Sequence, residues 1–111
     1  MSEIINFEDF TKVDLRVGTI IEVNNFQEAR NPSYKLKIDF GDLGVKQSSA
    51  QITTLYKKEE LLNRQIVAVV NFPKKQIANF FSECLVLGAM KDKDVILLNP
   101  EDKVMNGSVV S

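Results

Sequence analysis

The feature that most constrains the fold is a period-two alternation of apolar and polar residues in two segments, 15–23 and 34–40. Successive side chains of a β-strand point to opposite faces, so this alternation predicts two strands with one buried and one solvated face. In the first segment the residues predicted to face the core are Leu15, Val17, Ile21 and Val23. In the second they are Tyr34, Leu36, Ile38 and Phe40.

Three further runs, 66–72, 84–89 and 94–98, are apolar throughout and rich in β-branched residues, which favours buried strands. Lys91-Asp92-Lys93-Asp94 is a polar turn that makes the last two runs a hairpin. The stretch KQSSAQIT (46–53) stands where another strand is expected, yet it is mostly polar. Short helices are predicted in NFEDFTKV (6–13) and TTLYKKEELLN (53–63).

The order of these elements predicts an all-β fold with short helices. Five strands with one helix between the third and the fourth are typical of the oligonucleotide/oligosaccharide-binding (OB) barrel. A β-sandwich is the alternative, but it would need more strands and no inserted helix. The length of 111 residues fits one domain over residues 1–111.

The C-terminal tail exceeds what a five-stranded barrel needs. Asn106-Gly107 is a turn signal between Val104 and Val109-Val110, which predicts a terminal hairpin. The hairpin could fold over its own barrel, or it could pack against a second copy in a symmetric dimer. The residues predicted for a dimer interface are Phe7, Phe10, Val104, Met105, Asn106, Val109 and Val110.

The composition points away from an enzyme. The chain has no histidine, and its serines and carboxylates match no catalytic or metal-binding pattern, so no cofactor is expected. A net charge of −1 argues against a general nucleic-acid coat protein. Cys84 is expected to be a buried, inert thiol. The N-terminus does not resemble a signal peptide and no run is long enough to span a membrane, which predicts a cytoplasmic protein without membrane insertion.

Two polar or aromatic stretches, 46–53 and 71–83, predict a binding surface. Short polar side chains would offer hydrogen bonds, phenylalanines apolar contact, and basic residues positive charge. The alternative for the phenylalanines is ordinary packing of a loop. Such a surface suits either an extended polypeptide or a single-stranded nucleic acid. The predicted contacts are Arg30, Lys46, Ser48, Ser49, Gln51, Asn71, Phe72, Lys74, Lys75, Phe80 and Ser82.

Five strings along the chain resemble one family from about Phe7 to Val110: FEDFTKVDLRVGTI, EARNPSYKLKIDFG, KQSSAQIT, QIVAVVNFP and FFSECLVLGA. The chain is similar to the CsaA-type export chaperones, within the OB-fold tRNA-binding domains that also occur in some methionyl-tRNA synthetases. The resemblance implies a homodimer that binds unfolded or pre-secretory polypeptides, with the export machinery as a further partner.

The tRNA-binding relatives suggest an alternative ligand for the same face. Asn71, Lys74, Lys75 and Ser82 match positions of their motif. The Gly-Met pair that follows the serine in those relatives is replaced here by Cys84-Leu85. The resemblance therefore favours a chaperone, with tRNA binding as the second hypothesis.

Overall fold

A computed structural model of the chain describes residues 2–111. Within that range the helices are α1 (Phe7–Thr11), a 3-10 turn (Gly41–Leu43) and α2 (Lys58–Leu61). The strands are β1 (Leu15–Asn25), β2 (Tyr34–Asp39), β3 (Val45–Ala50), β4 (Gln65–Val69), β5 (Lys75–Ile77), β6 (Phe80–Ser82), β7 (Leu85–Val86), β8 (Gly88–Lys91), β9 (Asp94–Leu97) and β10 (Val109–Val110). In this part of the chain no helix has the length and apolarity needed to cross a bilayer.

The main sheet has six antiparallel strands: five follow the order β3-β2-β1-β4-β7, and β10 pairs with the start of β1. The long strand β1 pairs with β4 through its first half and with β2 through its second half, which curls the sheet into a nearly closed barrel. α2 lies between β3 and β4 in the chain, and its Leu61 is fully buried in the core. The predicted OB-like barrel with its inserted helix is therefore confirmed.

The alternation in 34–40 is confirmed, because all four apolar residues of that segment are buried. The prediction for Ile21 is wrong: its side chain is 44% exposed, whereas Ile20 is fully buried. A β-bulge between Ile20 and Glu22 shifts the register of β1 against β2. The predicted faces are wrong before the bulge, where Gly18 and Ile20 face the core and Val17 is buried outside the core cluster. The extra residue reverses the faces of the strand after Ile20, which a regular period-two pattern cannot show.

The predicted hairpin of 84–89 and 94–98 exists as β8 and β9, with Lys91 opposite Asp94 across the turn. The first of these runs is divided between two strands: Leu85 and Val86 pair with β4, whereas Gly88 begins β8. The sequence predicts that these strands are buried, but this is only partly correct, because Leu85 and Ile96 are exposed.

The C-terminal tail contains the predicted turn but does not form the predicted hairpin. Gly107 adopts a φ of +89° and donates its N–H to Val17 O at 2.7 Å, so the turn rests on β1. Only the arm after the turn is a strand, β10, and it pairs with β1 at Leu15 and Arg16. The arm before the turn is held instead by Gln65, whose side chain donates to Val104 O (2.7 Å) and accepts from Val104 N–H (3.1 Å).

Candidate functional site

The barrel wall is closed at one point between β3 and the segment after β6. Gln47 N–H donates to Glu83 Oε1 (3.0 Å), and Glu83 N–H donates to Gln47 O (2.8 Å). The Gln47 side chain also donates to Phe81 O at 2.9 Å, which fastens the β5–β6 hairpin to β3. Ser48 Oγ also donates to Cys84 O (2.8 Å), and the wall separates after Ser48.

The separation opens a cavity of about 520 Å³, which we call the barrel cleft. Residues 48–52 of β3 and its continuation form one side, and Leu85 and Val86 of β7 lie opposite. The loop 29–33, the β5–β6 hairpin and the β8–β9 hairpin complete the rim. This volume lies within the range of about 300–1,000 Å³ that is usual for binding pockets.

The structure brings six of the eleven predicted contacts into the barrel cleft: Arg30, Ser48, Ser49, Gln51, Lys75 and Ser82. The charged residues that line it are Arg30, Lys75 and Lys93, and no carboxylate among residues 2–111 lines it. The barrel cleft is thus a polar and positively charged opening beside an edge of the sheet.

Ser48 was predicted to offer its side chain to a ligand, but in the structure this side chain points inward. It is 1% exposed, and its hydroxyl donates to Cys84 O at 2.8 Å. It lies opposite Leu36 in the ladder with β2, so it shares the inward face with that core residue. Ser48 therefore holds the floor of the barrel cleft. Gln51 is exposed and Ser49 half-buried, while Ile52 is buried, in agreement with the predicted outward face of this stretch.

The phenylalanines divide differently from the prediction. The side chain of Phe80 points from the β5–β6 hairpin toward β2. It is therefore buried, and its ring packs against that of Phe26 with the centroids 5.2 Å apart. Lys35 Nζ lies 4.9 Å from the Phe26 ring and covers this pair. Phe72 and Phe81 are exposed, but neither lines the barrel cleft.

Three further predicted contacts lie outside the barrel cleft. Lys46 is half-buried on β3 before the closure point. Lys74 Nζ lies 3.7 Å from Glu83 Oε2 in an exposed ion pair. Asn71 accepts from Asp14 N–H (2.9 Å) and donates to Lys12 O (2.7 Å), so its amide ties the N-terminal segment to the end of β4.

The sequence did not single out Met90 and Lys93, which line the barrel cleft from the β8–β9 hairpin. Their segment was predicted as a hairpin, but the alternation of strands does not show that this hairpin folds over the opening beside β3. The one signal was the pair of lysines in the polar turn, Lys91 and Lys93.

Cys84 lies at the back of the barrel cleft and is 5% exposed. Burial raises the pKa of its thiol to about 11, a shift that the neighbouring Ser48 hydrogen bond opposes. A thiol with a raised pKa is a poor nucleophile at neutral pH. Among residues 2–111 there is no cluster of three or more potential metal ligands.

A second groove, of about 460 Å³, lies between α1 and β10; we call it the terminal groove. It is lined by four of the predicted interface residues: Phe7, Phe10, Val109 and Val110. Phe7 is 77% exposed in the single chain. An Asn6–Asp9 capping box begins α1 and fixes the direction in which its phenylalanines point.

The other three predicted interface residues lie outside the terminal groove. Val104 and Met105 are exposed. Asn106 is engaged within the chain, since its Oδ1 accepts from Thr19 Oγ1 (2.6 Å) and from Gln65 Nε2 (3.2 Å).

Both the sequence and the fold of this chain are similar to those of known proteins over nearly its whole length. Residues 15–109 match the family described as "Putative tRNA binding domain". The methionine–tRNA ligase of Pyrococcus abyssi is 41% identical over 106 residues, which are 96% of this chain and 14% of the ligase. The chain thus corresponds to about a seventh of such a ligase.

Two solved structures are similar over the full length of both proteins. The chaperone CsaA of Bacillus anthracis is 54% identical with a TM-score of 0.94, covering 98% of this chain and 100% of that one. The CsaA chaperone protein of Picrophilus torridus is 56% identical with a TM-score of 0.91, covering 97% and 100%. The chain belongs to the tRNA-binding-domain family and, within it, to the CsaA group.

Proposed function

We propose that this protein is a cytoplasmic, non-enzymatic chaperone that binds unfolded or export-bound polypeptides in the barrel cleft and takes part in protein secretion. The observation that carries the proposal is the similarity to chaperone-named structures over their whole length, which includes the residues of the barrel cleft. Phe72, Lys46 and Lys74, which lie outside the barrel cleft, are proposed as further contacts of the client.

The shape and chemistry of the barrel cleft support a polypeptide client. The outward side of 48–52 carries short polar groups that leave room for another chain, while Ile77, Val95 and Met90 provide apolar surface on the rim. Each direct hydrogen bond contributes on the order of 1 kcal/mol net, so a small site of this kind gives modest, roughly micromolar affinity. Modest affinity suits a chaperone that must release its client.

A homodimer is part of the proposal. Large apolar side chains are exposed on the terminal segments, namely Ile4, Ile5, Phe7, Met105 and Val109. A symmetric pair of chains that packs the terminal groove of one copy against that of the other would cover Phe7 and Val109, which line the groove. The barrel cleft is lined by other residues and would stay open in such a dimer.

Binding of tRNA by the same face is the second candidate. It is supported by the family to which the chain belongs and by three basic side chains in the barrel cleft without a carboxylate. Neutralising about three phosphates per subunit predicts a shallow dependence of affinity on salt, with a log–log slope of roughly −2 to −3.

A competition experiment separates the two candidates. A fluorescent unfolded peptide is bound to the protein at physiological salt and challenged first with bulk tRNA and then with unlabelled peptide. The chaperone proposal expects displacement by peptide at micromolar concentration and little displacement by tRNA. Displacement by tRNA at lower concentration than by peptide would reverse the order of the two candidates.

A further inference from the structure

We infer that the barrel cleft takes an extended polypeptide as an added β-strand, paired through its backbone with the free edge of β3 at Ser49 and with Gln51, which directly follows β3. The inference rests on the proposed polypeptide-binding function and specifies how the client is held. It explains how a site of this size can accept many sequences, because backbone pairing does not depend on side chains.

The direction of the backbone groups of β3 follows from the closure point. Gln47 directs both its N–H and its C=O toward Glu83, away from β2. Backbone groups alternate between the two sides of a strand, so those of Ser49 point the same way as those of Gln47, and Gln51 follows directly after the end of β3. On that side β3 pairs with no strand formed by residues 2–111.

The position of the cavity agrees with an edge site. Five consecutive residues, 48–52, all line the barrel cleft. Side chains of an extended segment alternate between two faces, so a cavity on one face would be lined by every second residue only. The barrel cleft therefore runs along the edge of this segment.

The far side of the opening is also a strand. Leu85 and Val86 of β7 pair with β4 and line the barrel cleft opposite β3. Strands pair at a spacing of about 4.8 Å, and an exposed edge is a template for an incoming strand. β3 and β7 come within 8 Å of each other at some Cα positions, which is less than two strand spacings, so the client segment would pair with β3 beyond that contact, toward Gln51.

The charge of the barrel cleft selects among client segments. Arg30, Lys75 and Lys93 line it, and no Asp or Glu of the described residues does. Segments flanked by acidic residues are therefore favoured over segments flanked by lysine, and the preference weakens as salt is added.

The inference is tested with labelled peptides whose backbone donors are removed. The parent peptide has alternating threonine and valine with glutamate pairs at both ends. One derivative carries esters in place of the central amides, which removes N–H donors and keeps the side chains. The matched control carries its esters between the terminal glutamates. Strand addition predicts a loss of affinity on the order of tenfold or more for the central esters and less than about twofold for the control.

The protein side is tested by comparing Ser49→Pro with Ser49→Ala. Both variants lose the hydroxyl, but only proline removes the N–H that faces the opening. Proline is tolerated where a strand N–H points away from its partner, so β2–β3 pairing is retained, as circular dichroism can verify. Ser49→Pro is expected to bind the parent peptide at least fivefold more weakly than Ser49→Ala. If Ser49→Pro does not fold, the affinities of the ester peptides for the unaltered protein decide whether the client is held by strand pairing.

The outcomes separate this inference from the proposed function. If the parent peptide binds and the central esters lower affinity no more than the control esters, strand addition is overturned and polypeptide binding stands. If the parent peptide, its lysine-flanked counterpart and other unfolded peptides all fail to bind, both are overturned. Binding of tRNA in the barrel cleft that no peptide displaces would likewise overturn both.

Discussion

Ser48 and Ser49 are adjacent, chemically identical residues to which the structure gives opposite roles. Ser48→Ala removes a buried hydrogen bond of 2.8 Å to Cys84 O. That carbonyl keeps a second donor, Ser82 Oγ at 3.2 Å, so it is not left without a partner. The expected loss in the free energy of unfolding is therefore about 1–2 kcal/mol. Ser49→Ala, on the outward face, should change it by less than about 0.5 kcal/mol.

Urea unfolding followed by circular dichroism measures both variants. Ser48→Ala should lower the midpoint of unfolding with an unchanged m-value, and Ser49→Ala should match the parent protein. All samples need the same protein concentration, since the unfolding of the proposed dimer would depend on concentration. Equal stability of the two variants would refute the assignment of Ser48 to the floor of the barrel cleft.

Three further predictions concern the interface, the charge and the thiol. Phe7→Ser combined with Val109→Ser should shift the protein to monomer in sedimentation equilibrium, and an unchanged dimer would place the interface elsewhere. Lys75→Glu should weaken any tRNA binding at least tenfold in a filter assay, whereas Lys74→Glu, the same change at the neighbouring residue outside the barrel cleft, should have a smaller effect. Burial raises the pKa of the Cys84 thiol from 9.0 to about 11. Because the folded state holds this proton more tightly than the unfolded state, Cys84 should contribute to the free energy of unfolding below about pH 9. This contribution, on the order of 2 kcal/mol, should be lost as the pH rises to about 11. Unfolding free energies of the parent and Cys84→Ala should converge or cross over that range, and parallel curves would exclude the effect.

Much of the barrel could be predicted from the sequence because β2 has one fully buried face and no irregularity. The four inward residues of 34–40 show this directly. β1 was predicted less well, since the bulge at Ile21 depends on how two strands pair and leaves no mark in one strand's pattern. The missing first arm of the C-terminal hairpin has a similar cause: the side chain of Gln65, distant in sequence, occupies the backbone of Val104.

The candidate site was predicted in part. The polar composition of 46–53 indicated one wall of the barrel cleft. Lys75 and Ser82, which were also predicted as contacts, lie on another part of its lining. Which serine faces inward depends on the strand's register with β2, and the burial of Phe80 depends on its contact with Phe26. Neither follows from composition. Residues 46–50 of KQSSAQIT thus belong to β3, whose inward side holds the barrel together through Ser48, and whose edge is where the added strand is proposed to pair.

Occupation of the barrel cleft by a polypeptide client is tested most directly by the amide chemical shifts of the isotope-labelled protein, recorded while an unfolded peptide is added. The largest shifts are expected at Ser49, Gln51, Lys75 and Lys93, with little change in the terminal groove around Phe7 and Val109. Shifts concentrated in the terminal groove, or none at Ser49 and Gln51 at saturating peptide, would contradict it.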